Sequence, residues 1–194
     1  QLLLNRGIKN KSDQEKFFNP KVEDFEKDLK ITGIKKAGQR IQKAIKDGEL
    51  IIAYGDYDAD GICGAAVLYL GLTSLGAKVL PYIPHREKEG YGLSKEGLLE
   101  AKKRECTVVI SVDCGMTALE EALFAQEIGL DLIITDHHEP KEKIPEAYAV
   151  INPKQNDYPG GELSGVGVAF KLACGIYQKS GLSPEELQKH LDLV

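Results

Sequence analysis

Short hydrophobic runs alternate along this chain with longer stretches whose apolar residues recur at helical spacing. The short runs predict buried strands, and the spaced positions predict helices that cover a sheet. Strands are predicted at residues 50–54, 78–83, 107–112, 131–135 and 148–151. Helices are predicted from Ala37 to a stop at Gly48 and over residues 62–75, 94–103, 117–127, 165–179 and 184–191. This alternation predicts an α/β fold with three layers, in which a mostly parallel sheet is flanked by helices.

The first 35 residues do not follow this alternation. They are polar and irregular, with short helical patches at residues 13–18 and 22–29. We therefore expect an N-terminal lead-in segment over residues 1–35 and the α/β domain over residues 36–194. The first residue is Gln1, so we expect the chain to be part of a longer protein.

Composition excludes several classes of protein. Hydrophobic residues make up 42% of the chain and charged residues 28%, which is typical of a globular domain. No apolar run approaches the roughly eighteen residues of a membrane span, and no signal peptide is visible, so we expect a cytoplasmic protein with no membrane partner. The net charge of −5 gives no general attraction for nucleic acid, so an anionic substrate needs a local cation. The four cysteines form no CxxC pair and are expected to be thiols.

Three carboxylates directly follow the first predicted strand. Asp56, Asp58 and Asp60 occupy alternate positions and are followed by Gly61. Like charges this close repel one another unless a cation lies among them. A hard divalent ion with oxygen ligands fits this arrangement. The alternative is a solvated turn that caps the next helix, for which one aspartate would be enough.

Two further strands end in residues that bind metals. Asp113 follows the strand at 107–112, and Asp136, His137 and His138 follow the strand at 131–135. Since the carboxyl ends of parallel strands meet at one edge, we expect these groups and the acidic loop to converge. A carboxylate at Asp113 could bridge two metal ions, the arrangement that hydrolyses phosphate esters. The mixture of Asp and His favours manganese over calcium. The alternatives are a helix-capping role for Asp113 and a polar loop at 136–138.

Two other segments could contact phosphate or bases. The loop at 84–93 contains His85, Arg86 and Tyr91, which suit phosphate binding and base stacking, although it could be a basic surface loop. Gly165 and Gly167 open the helix at 165–179, where free backbone N–H groups could bind an anion. The alternative there is tight packing of the helix start against the sheet.

The motifs together resemble a known family. GDYDADG at 55–61, VDCG at 112–115 and DHH at 136–138 are similar to the first three motifs of the DHH phosphoesterase superfamily. PHREKEGYGLS at 84–94 and LSGVGVAFKL at 163–172 resemble the RecJ-type single-strand-specific 5′ to 3′ exonucleases.

This resemblance implies roles for individual residues. It implies metal ligands at Asp56, Asp58, Asp113 and His137, with Asp113 bridging. It implies a supporting role for Asp136 and phosphate contact for His138, so that the residues expected to serve catalysis are Asp58, Asp113, Asp136 and His138. Asp60 matches no ligand of the superfamily and ranks lower.

The chain departs from the family pattern at two places. Many superfamily members have a histidine where this chain has Ile52, as is usual for the RecJ branch. The fourth motif, which supplies another aspartate to the site, is expected to lie beyond Val194. The resemblance therefore implies a fragment that binds metal weakly and is inactive alone.

The resemblance implies metal-dependent hydrolysis of phosphodiester bonds in single-stranded DNA, during repair and recombination. One or two Mn²⁺ or Mg²⁺ ions are the expected cofactors, and a single-strand-binding protein or a helicase is an expected partner besides the DNA. Two alternatives remain open: a DHH phosphodiesterase of short oligonucleotides or cyclic dinucleotides, and a non-catalytic scaffold with the same fold.

Overall fold

A five-stranded parallel sheet forms the centre of the domain. The computed structural model describes residues 1–19, 30–155, 158, 163–182 and 185–194. The strands are β1 (Leu50–Gly55), β2 (Lys78–Tyr82), β3 (Cys106–Val112), β4 (Asp131–Thr135) and β5 (Ala149–Ile151). They lie in the order β2-β1-β3-β4-β5, and every neighbouring pair is parallel. The predicted α/β class with a parallel sheet is therefore confirmed.

Helices precede, connect and follow the strands. Those in the described residues are α1 (Leu2–Asn5), α2 (Lys11–Phe18), α3 (Ile34–Asp47), α4 (Ala59–Ser74), α5 (Arg86–Glu89), α6 (Lys95–Lys103), α7 (Leu119–Glu127), α8 (Gly165–Lys179) and α9 (Glu185–Gln188). Short 3-10 turns occupy Pro153–Gln155 and Leu191–Leu193. None of the described helices is long and apolar enough to cross a membrane. The helical patch predicted at 22–29 lies outside the described residues.

The two faces of the sheet are buried by different helices, which gives three layers. Side chains alternate between faces along a strand. Ile51 and Ala53 therefore pack in one cluster with α3, α4 and α8, whereas Ile52 and Tyr54 pack in another with α6 and α7. This explains why the strands read as continuous apolar runs, as expected of parallel strands covered on both faces.

The predicted boundaries differ from the observed ones mainly near the loops. Helix α4 begins at Ala59, three residues before its predicted start, because Asp58 caps it. The segment predicted as a loop at 84–93 contains the short helix α5. Helices α1 and α2 contain no buried residue, and Leu2 and Phe18 lie largely exposed. The cysteines are free thiols, as expected.

Candidate metal centre

Three aspartates extend the sheet by one residue at the carboxyl ends of neighbouring strands. The N–H group of Asp56 donates to the carbonyl of Val112, and that of Asp113 donates to the carbonyl of Thr135. Asp136 donates in the same way to Ile151. The parallel ladder thus sets all three residues at one level of the sheet edge. Each is almost completely buried, with 0%, 3% and 1% of its surface exposed.

The acidic loop brings Asp58 beside this edge and also starts α4. The Asp58 carboxylate accepts a hydrogen bond from the N–H of Gly61 at 3.0 Å. A Cβ atom at Gly61 would lie 2.4 Å from the backbone nitrogen of Asp56, so only glycine fits where the loop folds back on itself. The capping role considered for this loop is real. It occupies one oxygen of Asp58, and Asp56 needs another explanation.

Asp113 has an unusual backbone conformation for a residue with a side chain. Its φ angle is 61°, in the left-handed region that non-glycine residues rarely adopt. The alternative role as a cap for the next helix is wrong, because α7 starts after Ala118 and has no side-chain cap. Strained residues of this kind concentrate at functional sites.

Two groups of potential metal ligands share Asp113. Ligand atoms of Asp56, Asp58 and Asp113 lie within 4.8 Å of one another, and so do ligand atoms of Asp113, His137 and His138. The Nε2 atom of His137 is 3.1 Å from Oδ1 of Asp113. The predicted convergence of strand ends is therefore present, with Asp113 in the bridging position.

The electrostatics of the described residues fit a cation between these groups. Oδ1 of Asp113 and Oδ2 of Asp56 are buried and accept no hydrogen bond of good geometry from a described residue. Burial, and then the negative charges of Asp60 and Asp58, raise the pKa of Asp113 to about 7. Burial, and then the charge of Asp58, raises the pKa of Asp56. Two buried carboxylate oxygens that lack donors and lie among other carboxylates are a donor set for a divalent cation.

Asp136 organises the residues around it and has little capacity left for a metal. Its Oδ1 atom accepts hydrogen bonds from the N–H groups of His137 at 2.7 Å and His138 at 3.1 Å. Its Oδ2 atom accepts from the N–H of Met116 at 2.9 Å. Oδ1 also lies 2.7 Å from Nδ1 of His138, so the imidazole it orients is that of His138. Burial lowers the pKa of His138, but the hydrogen bond and charge of Asp136 outweigh it and raise that pKa.

The start of α8 packs directly against the site. The N–H of Gly165 donates to Asp60 at 2.8 Å, and the N–H of Gly167 donates to Ser164 at 3.2 Å. The premise of free N–H groups at this helix start is therefore wrong. A Cβ atom at Gly165 would lie 2.5 Å from Oδ1 of Asp113, so the tight-packing alternative describes this position. Contact of Gly165 and Gly167 with substrate stays a prediction.

An aromatic and basic cluster lies beside the acidic loop. The guanidinium carbon of Arg86 is 5.0 Å from the centre of the Tyr57 ring, and the rings of Tyr57 and Tyr91 meet edge to face at 6.1 Å. Tyr91 is 58% exposed, and His85 also lies exposed. Burial, and then the negative charges of Asp56 and Asp113, raise the pKa of Tyr91. Sequence reasoning missed Tyr57, although its place between Asp56 and Asp58 was a usable signal.

Comparison with known proteins identifies relatives that share this site. The single-stranded-DNA-specific exonuclease RecJ of Bacillus subtilis (strain 168) is 44% identical over 188 residues, which cover 96% of this chain and 24% of the relative. A crystal structure of exonuclease RecJ bound to manganese has a TM-score of 0.77 and 37% identity, over 84% of this chain and 41% of that one. RecJ of Thermus thermophilus in complex with Mn²⁺ has a TM-score of 0.74 and 30% identity, over 98% and 26%.

The chain spans about a quarter of the length of the Bacillus relative. A family model described as the DHH family, N-terminal domain, matches residues 50–194. That match covers well over half of the chain and includes every strand of the sheet and each candidate ligand. The chain therefore belongs to the DHH family.

Proposed function

We propose that this chain is the metal-binding part of an exonuclease that hydrolyses phosphodiester bonds in single-stranded DNA. The observation that carries this proposal is the buried carboxylate of Asp113, which is shared by two groups of metal ligands. Carboxylates that bridge two metal ions are typical of phosphoesterases. The RecJ relatives, at 34–44% identity over nearly all of this chain in two cases, support single-stranded DNA as the substrate.

The proposed cofactor is one or two Mn²⁺ or Mg²⁺ ions. Asp56 and Asp58 would hold an ion on one side of Asp113, and His137 would hold one on the other side. Solved RecJ structures with Mn²⁺ and with Mg²⁺ support this choice. When bound, such ions lower the pKa of a water molecule and polarise the scissile phosphate.

The side chains of this protein would position the strand and its charge. His138 is 47% exposed in its side chain and is oriented by Asp136, so its ring can contact a phosphate oxygen. Arg86 and His85 would bind the phosphate backbone. Tyr91, with Tyr57 beside it, offers an aromatic face on which a base can stack. Asp58, Asp113 and Asp136 would align the reacting groups.

The wider biology follows from the relatives and belongs to the proposal. We place the reaction in DNA repair and recombination, with 5′ to 3′ direction and a cytoplasmic location, because the proposed substrate is DNA. A single-strand-binding protein or a helicase is the proposed partner besides DNA. The relatives are several times longer than this chain, so the activity proposed is that of a protein that contains it.

Calorimetric titration of the 194-residue chain with Mn²⁺ tests the metal site. We expect uptake by the wild type and its loss in Asp113→Ala, because that change removes the ligand common to both groups. Asp47→Ala is the matched control, since Asp47 is an exposed carboxylate at the end of α3 and pairs with Lys43. Equal isotherms for wild type and Asp113→Ala would contradict the proposed site.

Cleavage assays with a longer protein that contains this chain test the substrate. We expect Mn²⁺-dependent degradation of a long, 5′-labelled single strand, faster than that of a dinucleotide and absent on a duplex. Faster cleavage of the dinucleotide would favour a small-substrate phosphodiesterase. Binding of Mn²⁺ without cleavage of either substrate would favour a non-catalytic scaffold.

A further inference from the structure

We infer that Asp60 is a positioning residue that ties the start of α8 to the acidic loop and thereby fixes Asp113. The inference rests on the proposed metal site and assigns a role to the one aspartate of the loop that matched no ligand. Asp60 follows Asp58 by two residues and lies in the first turn of α4.

The Asp60 carboxylate holds the first two amides of the helix start. Its Oδ2 accepts from the N–H of Gly165 at 2.8 Å, and its Oδ1 accepts from the N–H of Val166 at 2.7 Å. These bonds join parts of the chain that are 105 and 106 residues apart. Hydrogen bonds to an ionised carboxylate are stronger than neutral ones, and the dipole of α8 adds to them.

The helix start that Asp60 holds is the surface behind the shared ligand. Gly165 leaves no space for a side chain, since a Cβ atom there would lie 2.5 Å from Oδ1 and 2.6 Å from Cβ of Asp113. Asp113 is also held at a φ angle of 61°. The direction of its carboxylate therefore depends on where α8 begins, and Asp60 determines that place.

A ligand role for Asp60 itself is disfavoured by its contacts. Each of its oxygens already accepts a backbone hydrogen bond, and Nε2 of His137 lies 3.9 Å from Oδ2, beyond hydrogen-bond distance. Neither candidate ligand group among the described residues includes Asp60.

Amide hydrogen exchange and Mn²⁺ titration of Asp60→Ala and Asp60→Asn test this inference. In EDTA, we expect the amides of Gly165 and Val166 to exchange faster in Asp60→Ala than in the wild type, because they lose their acceptor. We expect Mn²⁺ affinity to fall about ten- to hundredfold with the number of bound ions unchanged, as for other residues that orient ligands. Asp60→Asn should fall between the two, because its amide retains one acceptor oxygen.

Ser164→Ala is the matched control. It removes the hydrogen bond between Ser164 and the N–H of Gly167 at the same helix start, yet leaves the Asp60 contacts in place. We expect its Mn²⁺ affinity to stay within about twofold of the wild type, within the range expected of a surface change. An equal loss in Ser164→Ala, unchanged exchange in Asp60→Ala, or one fewer ion bound in Asp60→Ala would each overturn the inference. The exchange measurement in EDTA is independent of metal binding, so it also separates this inference from failure of the proposed function.

Discussion

Asp113 is a carboxylate that folding alone disfavours. It is 3% exposed, its Oδ1 atom accepts no hydrogen bond of good geometry from a described residue, and its backbone lies in a strained region. Such strain costs about 1–3 kcal/mol, and a buried charge without a partner adds to that. A residue with these properties is explained by a ligand that restores the lost interactions.

The first prediction concerns the stability of Asp113→Asn without metal. Folding raises the carboxyl pKa from 3.8 to about 7, so the folded chain binds the proton more tightly than the unfolded chain. The stability that protonation gives is complete below pH 3.8 and is lost as the pH rises towards 7. Asp113→Asn does not titrate, so in EDTA it should be more stable than the wild type by about 2–4 kcal/mol at alkaline pH.

Denaturant unfolding in EDTA at about pH 5 and about pH 8 measures this difference. The advantage of Asp113→Asn should be larger at the higher pH, and saturating Mn²⁺ should reverse it by stabilising only the wild type. Asp47→Asn serves as control, because Asp47 is exposed. A wild type that is equally stable relative to Asp113→Asn at both pH values would contradict the assigned pKa.

Single residues differ in how far the sequence predicts them. The convergence of Asp56, Asp113 and His137 follows from their positions after parallel strands, which any α/β chain brings to one edge. The role of Asp60 could not be predicted, because its partners lie more than a hundred residues away and depend on how α8 packs. The left-handed conformation of Asp113 has no marker in its own residue type.

At the scale of elements, periodicity predicted the strands and most helices, and tertiary contacts decided the rest. The segment at 84–93 forms α5 because Glu89 accepts from the N–H of His85 and from the hydroxyl of Tyr82. The hydroxyl of Tyr82 belongs to a strand, so local pattern alone does not reveal this helix. For α8 the apolar pattern was sufficient, since residues 165–177 are buried throughout the helix.

The second prediction compares two glycines at the start of α8. Gly165→Ala should destabilise the chain by about 1–3 kcal/mol and weaken Mn²⁺ binding, because its Cβ would collide with Asp113. Gly167→Ala should be neutral or stabilising by up to about 1 kcal/mol, since its Cβ would meet Ser164 Oγ at 3.4 Å and alanine favours a helix. Thermal unfolding and Mn²⁺ titration of both variants check this; similar behaviour would show that α8 does not press on Asp113.

At the scale of the whole molecule, the two edges of the sheet have different compositions. The carboxyl edge gathers buried carboxylates without enough donors, whereas ion pairs satisfy the opposite edge. There, Arg40 of α3 lies 2.6 Å from Glu49 before β1 and 2.5 Å from Asp131 at the start of β4. Thr107 of β3 also donates a hydrogen bond to Glu49. This cluster fastens α3 to three strands and faces away from the candidate metal centre.

The third prediction is that stability and metal binding can be separated at these two edges. Arg40→Met keeps the length of the buried side chain but leaves Glu49 and Asp131 without their cation, and should cost about 2 kcal/mol, between exposed and buried ion pairs. Because no ligand is shared, Mn²⁺ at a hundredfold excess over its Kd should stabilise this variant and the wild type equally, by about 2.7 kcal/mol. In Asp113→Ala that gain should disappear while the cost of Arg40→Met stays additive. Denaturant unfolding of the two single variants and the double variant, with Mn²⁺ and with EDTA, measures each term. A smaller Mn²⁺ gain in Arg40→Met would mean that the sheet transmits strain from one edge to the other.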